Sequence, residues 1–215
     1  MLTAPHYPDG MKRALAFAAA GIAAATATIA ATAATPATLR VQLVDERGVP
    51  VRDAVVDLTP KGGWNGPVSI PGRAAMAQRD LQFVPGTLIV AKGDMVAFPN
   101  LDKVRHHIYS FSKAAKFEID LYGREQTRSR NFPIAGAVSL GCNIHDNMRG
   151  YVKVVDTPFA GKTDHNGMIT LSGIPTGEVT ISAWHPRMKS SDNTSYKAAM
   201  IAGGAQSRKL AVRMR

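Results

Sequence analysis

From Leu39 onward the chain alternates apolar and polar residues in short runs, and Gly, Pro, Asn and Asp interrupt those runs. Period-two alternation over four to eight residues is the mark of a half-buried strand. It predicts strands at Leu39-Arg-Val-Gln-Leu43 and Ala54-Val-Val-Asp-Leu58, joined as a hairpin through the turn Asp45-Glu-Arg-Gly48. Further strands are expected at 80–83, 88–90, 95–98, 107–111, 116–121, 135–140, 151–155, 168–171, 179–184 and 209–214. Residues 60–75, rich in Gly and Pro, read as a loop or boundary, and 100–105 as a loop that delivers His106 and His107. Residues 122–132 read as a polar, Arg-rich loop, and 186–208 as a polar, partly mobile connection. No run of helical period extends beyond two turns, so the expected fold class is all-β, of the sandwich or barrel kind.

The N-terminus follows a different rule. Met11-Lys12-Arg13 is a short basic start, Leu15 to Ala31 carries no charge, and Ala31-Thr32-Ala33 places small residues where a signal peptidase reads. This is the layout of a secretory leader over residues 1–35, with Met11 as the expected start. An uncleaved anchor is the alternative, although the stretch is Ala/Thr-rich and weakly apolar. The mature chain of about 180 residues holds one large or two small domains, and no later stretch is long and apolar enough to span a membrane. The expected location is periplasmic.

Export changes how charge and cysteine are read. Without Lys12, Arg13 and Asp9, 24 basic side chains face 15 acidic ones, a net charge of +9. That excess steers a protein toward acidic-surfaced partners or anionic membranes. Nucleic acid is a poor candidate for an exported chain. The single cysteine, Cys142, cannot form an internal disulfide. In an oxidising compartment a lone thiol is buried, paired between chains or bound to metal.

The surroundings of that cysteine favour metal. Gly-Cys142-Asn-Ile-His145-Asp-Asn-Met148-Arg-Gly places a thiolate, an imidazole and a thioether within seven residues. Two His and one Cys in a trigonal plane, with a distant Met, make a blue-copper electron-transfer site. Soft sulfur suits Cu(I), and imidazole suits both oxidation states. A second His must come from another loop at the same end of the sandwich.

Over about 80 residues, Asp80 to Val155, the chain resembles the cupredoxins, plastocyanin and amicyanin above all. The resemblance rests on Phe83-Val-Pro-Gly, the strand-turn-strand through Gly93, Phe98-Pro-Asn100, and the ligand run continuing as Met148-Arg-Gly-Tyr-Val-Lys-Val154. The family's first His lies six residues after an Asn and two before a Val or Ile, and Asn100, His106 and Ile108 match this frame. The resemblance therefore implies a Greek-key sandwich and one type 1 copper ion held by His106, Cys142, His145 and Met148. It also departs from the family. Arg105 stands where a Pro is usual, His107 where an Asn ties the ligand loops together, and Gly141 where plastocyanins often carry an aromatic residue. His107 remains an alternative ligand, but strand alternation sends adjacent side chains to opposite faces. More narrowly, the chain resembles periplasmic proteins labelled methylamine-utilisation proteins.

The flanks resemble another module. Residues 39–58 are similar to the opening hairpin of carboxypeptidase-regulatory-like domains, and 162–181 to their later half. The expectation is one small sandwich, 36–75 with 157–215, split around a cupredoxin domain at 76–156; the alternative pairs 39–58 onto the cupredoxin sheet. The expected function is single-electron transfer between redox partners, without enzymatic activity. Rival readings are copper capture or delivery, and a structural or sugar-binding sandwich with an incidental metal site. His185, beside Trp184, and His165, in a polar turn, read as structural and solvated respectively.

Overall fold

The computed structural model describes Met1 and residues 36–215 of the chain; the leader expectation falls outside the described residues. Among the described residues every regular element is a strand, so the protein is all-β, and no helix is long and apolar enough to cross a membrane. The strands are β1 (Ala37–Val44), β2 (Val55–Pro60), β3 (Ala77–Arg79), β4 (Gln82–Val84), β5 (Thr87–Ala91), β6 (Met95–Pro99), β7 (His106–Ser112) and β8 (Ala115–Tyr122). They continue as β9 (Thr127–Asn131), β10 (Gly136–Cys142), β11 (His145–Val155), β12 (Ala160–Lys162), β13 (Met168–Ile174), β14 (Gly177–Trp184), β15 (Thr194–Ile201) and β16 (Gly204–Ala211).

Two hydrophobic cores organise them. The first joins Leu39, Val41 and Leu43 of β1 to Val56 and Leu58 of β2, with Leu171, Ile174, Val179 and Ile181. It lies between sheet β13-β1-β16 and sheet β12-β2-β14-β15. Strands from both ends of the chain therefore build it: β1 runs parallel to β16, and β2 pairs antiparallel with β14. The second core contains Phe83, Val90, Val96, Phe98, Ile108, Val138, Leu140, Cys142, Met148, Val152 and Val154. One wall is the sheet β5-β11-β10-β7-β8, and the other is built from β3-β4 and β6-β9.

Three sequence expectations are corrected. The segments 39–43 and 54–58 do not pair as a hairpin: β1 and β2 belong to different sheets and face each other across the first core. Both strands present apolar residues to a shared interior, and each finds its ladder partners near the C-terminus. Part of the expected 122–132 loop is strand β9, paired with β6. Its alternation is hidden because Arg128 and Arg130, both exposed, stand opposite the buried Phe98 and Val96, with guanidinium carbons 5.4 Å and 5.3 Å from the ring centroids of Tyr122 and Phe117. Their long stems cover aromatic surface while the charge stays in water. Finally, 186–208 holds β15 and most of β16. Both flank a sheet on one side only, as edge strands, where polar residues are favoured.

The two cores meet along β11. Its even-numbered Val152 and Val154 enter the second core. Between and beside them, Tyr151 and Lys153 turn to the outer face of the β2–β14 sheet. The ring of Tyr151 meets Trp184 edge-on at 5.5 Å, and Lys153 Nζ lies 3.8 Å from Asp57 Oδ1. Both charged groups are buried. Burial pushes the Asp57 carboxyl above its ordinary range, against the pull of Lys153 and a hydrogen bond from the Ser182 hydroxyl.

Removing one member of a buried pair strands the other charge at a cost of about 3–5 kcal/mol, whereas an apolar pair of similar volume is often neutral. Asp57→Ala is accordingly expected to lower the free energy of unfolding by that amount in urea denaturation. The double variant Asp57→Leu with Lys153→Met should recover most of it.

Candidate metal centre

Strand β10 ends on Cys142, and β11 begins at His145 after the two-residue turn Asn143-Ile144. Along most of this hairpin the register is regular, with Val138 opposite Val152 and Gly141 opposite Arg149. At the next residue it slips. Cys142 faces His145, where Met148 would have continued the ladder. Such irregularities re-aim side chains at the end of a sheet. Here the slip sets His145 opposite Cys142, while Met148 is buried in the same core as Cys142. Met148 lies within strand β11.

The second imidazole arrives from β7. Its inward positions are His106, Ile108 and Ser110, all buried, and its outward positions are His107, Tyr109 and Phe111, whose rings follow one another at tilted angles. His106 is fully buried. Its Nδ1 lies 3.8 Å from Cys142 Sγ, and His145 Nδ1 lies 3.4 Å from the same sulfur. The ligand atoms of His106, Cys142 and His145 all fall within 4.8 Å of one another. Donors that share one transition-metal ion at about 2.0–2.3 Å stand roughly 3.5–4 Å apart in a trigonal plane. The two sulfur–nitrogen separations fit that spacing. The set of one thiolate, two imidazoles and a buried thioether nearby fits copper.

His107 takes the opposite direction. Its Nε2 lies 2.7 Å from Glu118 Oε1 on β8, and its Nδ1 is buried without a partner among the described residues. Of the adjacent histidines, only His106 joins the cluster. His185 and His165 are elsewhere: His185 Nδ1 accepts the Arg187 N–H at 3.1 Å, and His165 lies exposed beside Asn166.

Two residues noted in the sequence, Asn100 and Gly141, make contacts around the cluster that the sequence did not show. Asn100, expected as part of the frame, proves to be a buried clamp. Its amide donates to the carbonyls of Val104 and Tyr122 at 2.9 Å and 3.1 Å, and its oxygen accepts the Asp102 N–H at 2.9 Å. Asp102 then reaches His106, with Oδ2 lying 2.7 Å from Nε2. Burial works against its charge, but hydrogen bonds from His106 and from the Asp80 and Leu81 amides hold its pKa below the ordinary carboxylate range. An Asp four residues before a candidate ligand was the available signal. The second feature is Gly141, which faces Tyr109 across the sheet. A Cβ there would stand 2.6 Å from the Tyr109 ring, so the tyrosine occupies the space that a side chain before Cys142 would need.

No protein-family model matches the chain, and a search of curated proteins returns no relative. Among solved structures it is similar to a reduced Cu(I) form of an amicyanin mutant, with 24% identity, 40% of this chain and 86% of that one covered, and a TM-score of 0.37. It is also similar to the copper-containing nitrite reductase of Thermus scotoductus SA-01, with 20% identity, 43% of this chain and 24% of that one covered, and a TM-score of 0.37. A purple cupredoxin of Nitrosopumilus maritimus is similar at 20% identity, with 38% and 98% covered and a TM-score of 0.35. The case for a metal rests on this chain's own side chains.

Replacing His106 should be far more damaging than replacing its neighbour. His106→Ala is expected to weaken Cu(II) binding by more than the roughly 10–100-fold typical of groups one shell removed. His107→Gln should leave the affinity within about threefold of wild type, well inside that range. Competitive titration with a chelator of known affinity measures both.

Proposed function

We propose that the chain is an exported type 1 copper protein that carries single electrons between redox partners. One observation supports this most: two imidazole nitrogens and a buried cysteine sulfur lie within 4.8 Å of one another, and Met148 shares the core of Cys142. In this reading His106, Cys142, His145 and Met148 would hold the ion. A copper ion so held supplies one-electron exchange between Cu(I) and Cu(II). The protein's part is to keep the donors still. Cys142 and His106 sit on paired strands and are almost fully buried, which excludes water from their side of the site. His145 is half-exposed at the turn and is the proposed edge for a partner.

The excess of basic residues favours an acidic-surfaced partner. The leader pattern of residues 1–35 supports export, and a periplasmic location is part of the proposal. So is the division into a cupredoxin domain at 76–156 and a carboxypeptidase-regulatory-like sandwich split as 36–75 and 157–215. The proposal is of a carrier and not an enzyme, because a copper oxidase or nitrite reductase needs further copper ligands.

Adding Cu(II) to the purified mature chain should produce an intense visible thiolate-to-Cu(II) band and a reversible one-electron wave in voltammetry. Cys142→Ser should abolish the band. A colourless protein that takes up only Cu(I) would instead identify a capture or delivery role.

A further inference from the structure

The two imidazoles of the cluster are held differently. His145 is half-exposed and presents Nδ1 to the cysteine sulfur. His106 is enclosed and has both nitrogens engaged, Nδ1 towards Cys142 Sγ at 3.8 Å and Nε2 against Asp102 Oδ2 at 2.7 Å. An ionised carboxylate can only accept a hydrogen bond, so the proton of a neutral ring facing it must sit on Nε2. Nδ1 is then left with its lone pair directed at the other donors.

Asp102 is itself restrained from three sides. Its Oδ1 accepts the Asp80 N–H at 2.6 Å, and its Oδ2 accepts the Leu81 N–H at 3.2 Å. Its own N–H donates to the Asn100 side chain. Asp80 and Leu81 are the two residues between β3 and β4, with φ of 54° and 56°. A turn with positive φ at both central residues is the tight hairpin type. Here it aims two successive amides at one carboxylate. The β3–β4 turn, Asp102 and His106 therefore form a chain of hydrogen bonds from a surface hairpin to the buried sulfur.

We propose that Asp102 is a positioning residue: it fixes His106 as the Nε2–H tautomer and strengthens Nδ1 as a donor, biasing the centre toward Cu(II). The inference rests on the copper reading given above and adds to it a determinant of redox balance. A carboxylate on the far nitrogen of a ligating histidine orients the ring and raises its basicity. A more basic donor stabilises the higher charge of Cu(II) more than that of Cu(I). The two turn amides draw on the same oxygens and moderate this effect, so the potential depends on a hairpin that contributes no ligand.

The first test needs no metal. Long-range proton–nitrogen NMR of the 15N-labelled, copper-free mature chain should show His106 protonated at Nε2. In Asp102→Ala that preference should be lost, with protonation at Nδ1 appearing. A wild-type ring protonated at Nδ1, or an unchanged tautomer in Asp102→Ala, overturns the proposal. Asp102→Asn keeps the shape and one acceptor oxygen but removes the charge, and so guards against misfolding of the alanine variant. With copper bound, it should reduce Cu(II) affinity by about 10–100-fold, affect Cu(I) less, and raise the reduction potential while the visible band persists. Equal losses for the two ions, with no change in potential, overturn it. Failure of the wild-type chain to form a blue centre would count against the copper reading and leave the tautomer result standing.

Discussion

The structure depends on the two-sidedness of β11. In one strand, Val152 and Val154 fill the core beneath the candidate metal centre, and Tyr151 and Lys153 carry the contact with the β2–β14 sheet. Period-two alternation makes this separation automatic once the register is set. The register, in turn, is broken at one place, beside Cys142, where the slip sets His145 opposite it. A strand that must serve two interiors has little freedom to move.

The cluster also shows how polar groups survive beneath a sheet. His106, Asn100 and Gln78 are fully buried, and each is hydrogen-bonded. The Tyr122 hydroxyl donates to Gln78 and lies 2.9 Å from the Phe98 carbonyl, tying the end of β8 to β3 and β6. Burial raises the pKa of that phenol, against the hydrogen bond to Gln78, so it stays neutral. Satisfied networks of this kind rigidify their surroundings, because in low dielectric any broken link leaves an expensive unpaired group. The loop from Asn100 to Arg105 is tied down by Asn100 and Asp102, and it is this loop that leads into His106.

Much of this was legible along the chain. The alternation at 88–90, 95–98, 107–111 and 179–184 marks real strands, and the run Cys142-x2-His145-x2-Met148 announces its chemistry by residue type. The missed strands share a cause. β9 and β16 carry mostly polar residues because they lie at edges or cover aromatic rings with arginine stems, and hydrophobic period is blind to both. The hairpin expected from 39–58 failed because proximity in sequence favours pairing but does not require it. The better partners of β1, namely β13 and β16, lie more than a hundred residues away.

The sequence by itself determined the all-β class, the kinds of donor available and the opposed faces of His106 and His107, since these follow from residue chemistry and strand period. Only the tertiary structure decided that β11 is shared between two cores, that Tyr109 fills the space above Gly141, and that Asp102 meets His106 Nε2. Each of those depends on which strands become neighbours and on where a register slips. Such choices are made by long-range packing, which leaves no periodic trace in the chain.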